Sequence, residues 1–509
     1  MPVRIGDPLT FEDVVAVATG AEKVELAPGA RDRVEKATAV VEQTMATGTT
    51  VYGVTTGFGG LANVRIDPAE AKRLQEDIVR SHATAVGPLL STETVRAMML
   101  LKARTFAFGI SGIRPEVLDT MIRFLNEGIH PVVPSQGSLG ASGDLAQLAH
   151  LALPLLGEGR IEHKGRITES HQALHEVGIP PLHLSYKEGL ALVNGTEGML
   201  AIGILTIVGA QELARCADVT GAMVLEACLG TDRAFDARLI DLRKHVGSRL
   251  VAANLRKVLE GSGIVESHRH SEHLVQDAYS LRCIPQVHGA YRDGIAYVRE
   301  TLEAELGSAV DNPSVLSDTG EMRSSGNFHG ESLAVGLDHL ALCVAGYGTI
   351  AERRIARLVD PNLNNGLPAF LTEDPGRRSG FMLAHYTAAS LVSENRSLTF
   401  PVSSDSITTS AGQEDHVSMG FTAARKAAAI LQNARHVIAI EALGGAHGLE
   451  LRRPLEPANG TRAALQAMRR VSTFLDEDRS LSDDIQAAAA EIATGSFSAA
   501  VQEATGPLD

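Results

Sequence analysis

EGMLAIGILTIVGAQELARCADVTGAMVLEA, residues 197 to 227, carries apolar residues at helical spacing without confining them to one stripe. A helix that is apolar nearly all round must be covered on most of its faces. Its longest uncharged stretch, Gly198 to Gln211, is fourteen residues. That is short of the roughly 20 a membrane-spanning helix needs, so it reads as a buried core helix. The same periodicity returns in TVRAMMLLKARTFAF (94 to 108), DLAQLAHLALPLL (144 to 156), ESLAVGLDHLALCVAGYGTIAERRIARLV (331 to 359) and VSMGFTAARKAAAILQNARHVIAIEAL (417 to 443). The expected class is mainly α, a long-helix bundle whose helices pack on one another within the chain or across subunits.

Strand signals are confined to RIEHKGRIT (160 to 168), around Lys164-Gly165, and PSVLSDTGEMRS (313 to 324), around Asp318-Thr319-Gly320. Both are predicted accessory hairpins. No fixed-period repeat, low-complexity tract or proline-rich linker divides the chain. Its glycine-dense residues 1–145 read as an N-terminal subdomain and its helix-dense residues 146–509 as a helical-bundle domain, with no linker composition to separate them from a single catalytic unit.

The 509 residues carry 61 acids against 46 bases, a formal charge of -15. Without basic blocks or interleaved aromatics, neither a nucleic acid nor an anionic membrane is expected as a partner. Four cysteines, Cys216, Cys228, Cys283 and Cys343, have neither a disulfide framework nor metal-type spacing. The opening MPVRIGDPLTFEDVV places acids where a signal peptide would be apolar. A cytoplasmic protein with reduced thiols is the expectation.

GSLGASGDLAQLAH, residues 137 to 150, sets Gly137, Gly140 and Gly143 three apart, with Ala141, Ser142 and Gly143 adjacent. One glycine suffices for a turn, so three beside a helix start ask for a reason beyond slack. Asp144, opening the apolar run, is a predicted N-cap. A serine hydrolase does not fit, because the G-x-S-x-G elbow is absent and no strand leads into Ser142.

Six further polar clusters are bordered by glycine or small residues. VYGVTTGFGG (51 to 60) lacks the lysine of a phosphate loop and the spacing of a dinucleotide fingerprint, and holds Tyr52 among small residues. RSHATAVG supplies His82, and LVNGTEG interrupts an apolar region with Asn194. In ESHRHSEHLVQDAYSLRCIPQVHG (266 to 289), His268, His270 and His273 lack a carboxylate or cysteine at ligand spacing, so no metal is expected. Gln276, Tyr279 and Arg282 are three apart there and on a helix would share an arc of about 120°. That arc would offer an amide, a phenol and a guanidinium able to grip a carboxylate with two parallel bonds. SSGNFHGES (324 to 332) adds Asn327, Phe328 and His329; SAGQEDHVSMG (410 to 420) sets Gln413, Glu414, Asp415 and His416 at the expected start of a long helix. A packed tyrosine, a satisfied core histidine, an Asn-Gly turn, a surface arginine and acids complementing a helix dipole would each explain one cluster. None explains six together.

In order along residues 50 to 420, YGVTTGFG, SHATAVG, GSLGASGDLAQLAH, ALVNGT, QDAYSLRCIPQVHG, GNFHGE and QEDHVSMG resemble the motifs of the aromatic amino-acid ammonia-lyase family, most closely its members acting on histidine. The resemblance implies a mostly helical homotetramer whose active sites draw on more than one subunit. It implies that Ala141, Ser142 and Gly143 cyclise with loss of two waters to a methylidene-imidazolone, with no external cofactor. The implied reaction removes the α-amino group and a β-proton from L-histidine, giving trans-urocanate and ammonia, the first step of histidine degradation.

By motif match, Tyr52 is the implied base, with Glu414 as its competitor. Arg282 would bind the carboxylate, with Asn194 and Tyr279 near the amine and the prosthetic group. Gln276 and Phe328 would line the site, and His82 and Glu414 would face the imidazole. The electrophile would attach at the substrate's amine or its ring. Relatives acting on phenylalanine or tyrosine tend to carry Phe-Leu or His-Leu where this chain has Ser81-His82. A polar pair suits imidazole nitrogens, which would go unpaired in an apolar pocket. GTEG after Asn194 and SHATAVG depart from the commoner GTQ and SHAAGVG, which keeps a phenylalanine or tyrosine ammonia-lyase or aminomutase as the alternative.

Overall fold

The computed structural model describes residues 1–67, 69–271 and 275–509. Among them are 20 α-helices and four small sheets. The opening stretch is helical over Glu197–Ala227, and Glu331–Val359 also keeps the limits of its apolar pattern. Both have the length and apolarity to cross a membrane, yet 72% and 78% of their most apolar windows are buried within the fold. They are core helices. Gly420–Leu451 begins three residues after the apolar pattern does, because Met419 adopts a left-handed φ of 57° and its N–H is taken by Leu139 O at 2.9 Å. A fourth long helix, Ile284–Leu306, contains Pro285, Gly289 and Gly294 but continues unbroken.

The expected contiguous boundary after residue 145 is replaced by an interleaved one. Met1–Leu205, Glu300–Asp338 and Pro401–Arg425 gather into one compact unit, and Thr206–Arg299, His339–Phe400 and Lys426–Asp509 into another. Helices apolar on most faces take partners from distant sequence, so contiguity is a poor guide to packing.

In the first unit the helix Thr92–Ala107 is buried along nearly its whole length. Phe11–Ala18, which packs on it, starts with a complete capping box between Thr10 and Asp13. Both predicted hairpins form: Arg160–His163 pairs antiparallel with Arg166–Glu169, and Ser314–Leu316 with Glu321–Arg323. Ile129–Pro131 adds a third strand to the first. A parallel pair, Val3–Ile5 with Val24–Leu26, and an antiparallel pair, Val86–Leu89 with Pro134–Gln136, have strands of three or four residues. Such strands are too short to show a period of two.

In the second unit, one chain of buried polar contacts runs through all four long helices. His288 Nδ1 lies 2.7 Å from Asp218 Oδ1, and its Nε2 faces Arg354 Nη1 at 3.3 Å. Arginine only donates, so His288 is neutral with its proton on Nδ1. Burial holds this imidazole below its ordinary value, against the pull of Asp218. Burial also opposes ionisation of Asp218, but Arg292 at 2.7 Å and His288 keep it below the usual carboxylate range. Arg354 then grips Glu441, with Nη2 to Oε2 at 3.1 Å, and Thr220 donates to Glu441 at 2.6 Å. Arg354 and Glu441 are both fully buried. Removing one partner would strand a charge where water cannot reach it. Glu441→Ala is expected to lower the unfolding free energy by about 3–5 kcal/mol, read from the urea midpoint. Replacing the pair together, Arg354→Met with Glu441→Leu, is expected to recover most of that loss.

Candidate active site

The turn from Gly140 to Asp144 lies against the Asn194–Thr196 backbone. Gly195 N–H donates to Ser142 O at 3.2 Å and Asp144 N–H to Gly195 O at 2.8 Å. A Cβ on Gly143 would sit 1.9 Å from Gly195 O, so only glycine permits this approach. Gly140 holds a φ of 89°, and its Cβ would meet the Ser418 Oγ at 2.2 Å. Ser142 itself holds a φ of 53°, a left-handed conformation that costs a non-glycine residue free energy. Gly143 N–H points back to Gly140 O at 3.3 Å, closing the turn.

Asp144 does not cap its own helix. With φ -100° and ψ 45° it makes no side-chain cap bond to Leu145–Ala152. Its carboxylate instead accepts Met199 N–H at 2.8 Å, satisfying the first turn of Glu197–Ala227. Burial pushes this carboxyl up to about 7, partly offset by the Met199 bond.

Tyr52, His82, Ser142, Asn194 and Glu414 line one cavity of about 430 Å³. Asn194 ends the helix Glu188–Val193 in extended conformation, and its Oδ1 accepts Ser142 Oγ–H at 2.6 Å. Tyr52 Oη accepts Gly59 N–H at 2.9 Å. His82 closes the helix Ala71–His82 with Nδ1 2.8 Å from Ile78 O, which can only accept. The proton therefore sits on Nδ1 and Nε2 is an acceptor. Burial holds His82 below the ordinary imidazole value, offset in part by its bond to Ile78 and by Glu414. Phe58 packs on the ring at 5.0 Å.

Glu414 precedes the long helix by six residues rather than sitting in its first turn, so it does not complement that helix dipole. Thr409 Oγ1 donates to its Oε2 at 2.8 Å, and Ser410 Oγ accepts Gly60 N–H at 2.8 Å, tying this loop to the Tyr52 segment. A second cavity, about 240 Å³, is lined by Ala141 and Gly143 together with His82 and Glu414.

Gln276, Tyr279, Arg282 and Phe328 are not in the lining of either cavity. The first three do not share a helix: the helical turn is only Tyr279–Arg282, and Gln276 lies in a bend before it. Asp277 breaks the run by turning inward to accept Thr231 N–H at 2.8 Å. Tyr279 is 72% exposed, with the Arg282 guanidinium 4.8 Å from its ring centre. Phe328 is half-buried in the loop after the second hairpin. His273 lies outside the described residues, and His268 Nε2 is engaged with Gly230 O at 3.1 Å. His329, Glu331 and His416 bring ligand-type atoms within 4.8 Å of one another. Glu331 Oε2 lies 4.0 Å from His329 Nδ1 and 3.9 Å from His416 Nε2. Lys102, Lys187 and Asp311, all buried around Asn194, had no motif in sequence to mark them.

A bare-backbone turn carrying a serine in left-handed conformation faces a cavity set with a phenol, an imidazole and a carboxylate in a mainly helical chain, and its relatives make it an enzyme of the carbon–nitrogen lyase class. The model of the family described as aromatic amino acid lyase matches residues 9–470, and the chain belongs to that family. It is 48% identical to a histidine ammonia-lyase of Koribacter versatilis, over 98% of each chain. Its structure resembles a histidine ammonia-lyase from Trypanosoma cruzi (TM-score 0.91, 40% identity, covering 99% of this chain and 96% of that one). It also resembles a tyrosine aminomutase from Streptomyces globisporus (TM-score 0.95, 37% identity, 100% of each).

The Asp144 shift has a definite sign. A carboxyl raised from its unfolded value to about 7 binds more protons in the native chain than in the unfolded one throughout that window. Its contribution to stability therefore falls as pH rises toward 7. Relative to Asp144→Asn, the wild-type urea midpoint is expected to decline from about pH 4 to about pH 7 and then level off; a constant difference would contradict the shift.

Proposed function

We propose that this chain deaminates L-histidine without oxidation to trans-urocanate and ammonia, the entry step of histidine breakdown, in the cytoplasm. The observation that carries the reading is that His82 and Glu414 line both the cavity that holds Ser142 and the one that holds Ala141 and Gly143. The turn fits a methylidene-imidazolone: Gly143 has no room for a Cβ, Ser142 already bends left-handed, and its hydroxyl is held by Asn194. Formed from these three residues, that group supplies an electrophilic carbon that no ordinary side chain offers.

Tyr52 is the base that takes the β-proton. The Gly59 N–H on its oxygen is a bond that strengthens once the phenol has given up its own proton. Glu414, with Oε2 committed to Thr409, turns Oε1 to an imidazole N–H. The unprotonated Nε2 of His82 is a second acceptor, met by the ring's other N–H when the substrate side chain is an imidazolium. Together they reward a substrate with polar ring nitrogens, where an apolar benzene ring would leave both groups unpaired. Asn194 Oδ1 accepts from the substrate amine.

The remaining contacts come from self-association into a homotetramer. Tyr279, Arg282 and Gln276 of one further copy and Phe328 of another close the cavity, with the guanidinium binding the substrate carboxylate in two parallel bonds. The exposed Tyr279, and Leu342, Leu383 and Tyr386 at 53%, 55% and 60% exposure, support such burial between copies.

The deciding experiment is the near-ultraviolet absorbance of urocanate from L-histidine, run beside L-phenylalanine and L-tyrosine. Faster turnover of either aromatic substrate would overturn the histidine reading. Ser142→Ala is expected to retain both waters by intact mass and to lose essentially all activity. Glu414→Gln is expected to lower kcat/KM for histidine by about tenfold to a thousandfold, the cost of an unmatched polar partner at a reacting substrate.

A further inference from the structure

Asn194 has a carbonyl oxygen and an NH₂ of nearly the same shape, and only one of its two orientations presents the oxygen to Ser142. What selects that orientation lies behind it. Asn194 Nδ2 donates to Asn312 O at 2.7 Å and reaches Asp311 Oδ1 at 3.4 Å. Both are pure acceptors, so both demand the NH₂ end. Asp311 Oδ1 also takes Asn312 N–H at 2.7 Å, fixing the peptide whose carbonyl meets Asn194. Asp311 Oδ2 is in turn bound by Lys187 Nζ at 2.8 Å. Lys187 and Asp311 are 0% and 1% exposed at their side chains. A buried ion pair of this kind is weak evidence of stabilisation, because desolvating the two charges offsets their attraction. Lys187 moreover holds a left-handed φ of 66°, an unfavourable backbone for a lysine. Neither the buried charge nor the backbone strain is explained by packing alone.

We propose that Lys187 and Asp311 are positioning residues for the maturation of the Ala141-Ser142-Gly143 turn, acting through Asn194 to keep its amide oxygen on the Ser142 hydroxyl. This rests on the reading of that turn as the source of the prosthetic group. Ring closure forms a bond from Gly143 N to the Ala141 carbonyl carbon. The Ala141 oxygen leaves as water with the protons of the Gly143 and Ser142 amides, and a C=N bond to Ser142 N remains. The second water takes Ser142 Oγ with its proton and the Ser142 Cα proton, leaving a Cα=Cβ bond. Departure of Oγ requires one fixed side-chain rotamer, and the Asn194 oxygen is what holds it. Without the Asp311 carboxylate the NH₂ end loses one acceptor and the Asn312 peptide loses the bond that fixes its carbonyl, so the amide is free to turn over and that rotamer is no longer held.

Asp311→Asn keeps the shape but adds a donor where only an acceptor served; Lys187→Met removes the cation and Lys187→Arg retains it. Intact mass gives the share of chains that have lost two waters, circular dichroism confirms folding, and kcat and KM are measured on the matured share. Expected is a severalfold smaller matured share in Asp311→Asn and Lys187→Met at wild-type helicity, with substantial recovery in Lys187→Arg. Within the matured share, kcat is expected to fall about tenfold or more with a smaller change in KM, as for a displaced reacting group. Full maturation and unchanged kcat in folded Asp311→Asn would overturn the proposal, and so would a loss confined to thermal stability. Should Lys187→Met fail to fold, the folded Asp311→Asn still decides. A wild-type chain that keeps both waters would instead sink the reading of the turn, so the two failures are distinguishable.

Discussion

Two stretches of bare backbone meet where Gly143 faces the Gly195 carbonyl, and the site is arranged around that meeting. The contact leaves no space for even one methyl group. It requires Gly195 to lie between two helices, so the chain must break at Asn194 after Glu188–Val193 and restart at Glu197–Ala227. The break frees backbone groups that then need partners. Asp144 takes Met199 N–H, Lys102 binds the Asn194 carbonyl, and Glu197 takes Thr105 and Lys102. The charges buried in the first unit are the means by which an interrupted helix is made whole around a half-buried serine.

The second unit uses buried charge differently. There the four long helices are continuous, and the polar chain from Asp218 to Glu441 fixes their register with donors and acceptors that match only one way. Apolar faces on nearly every side supply attraction without direction, since leucine, valine and alanine pack in many alignments at similar cost. A neutral histidine between a carboxylate and an arginine does not. Direction in such a bundle comes from the few polar atoms, and the bulk of the stabilisation from the many apolar ones.

Much of this was legible in the sequence because helices apolar all round leave a long, strong signal. Glu197–Ala227 and Glu331–Val359 fall at their expected limits, and the tight turn at Gly140 to Gly143 follows from glycine spacing. What escaped was decided by tertiary contact. Asp144 had the look of an N-cap, but a neighbouring helix offered its carboxylate a better donor. Gln276, Tyr279 and Arg282 had helical spacing, but burial of Asp277 pulled the first out of the turn. The beginning of Gly420–Leu451 shifted because Leu139 claimed Met419 N–H. Lys187 and Asp311 are single charged residues 124 positions apart, and no local pattern joins a lysine to an aspartate over such a distance.

The bond from Gly60 N–H to Ser410 Oγ joins residues 350 positions apart. Synthesis at about 5–20 residues per second puts tens of seconds between the two partners leaving the ribosome. Tyr52, His82 and the Ala141-Ser142-Gly143 turn are all out of the tunnel long before Glu414 exists. The cavity wall they share is thus one of the last surfaces of its unit that can be completed. Chronology, as much as geometry, separates the chain that is merely folding from the chain that is equipped to react.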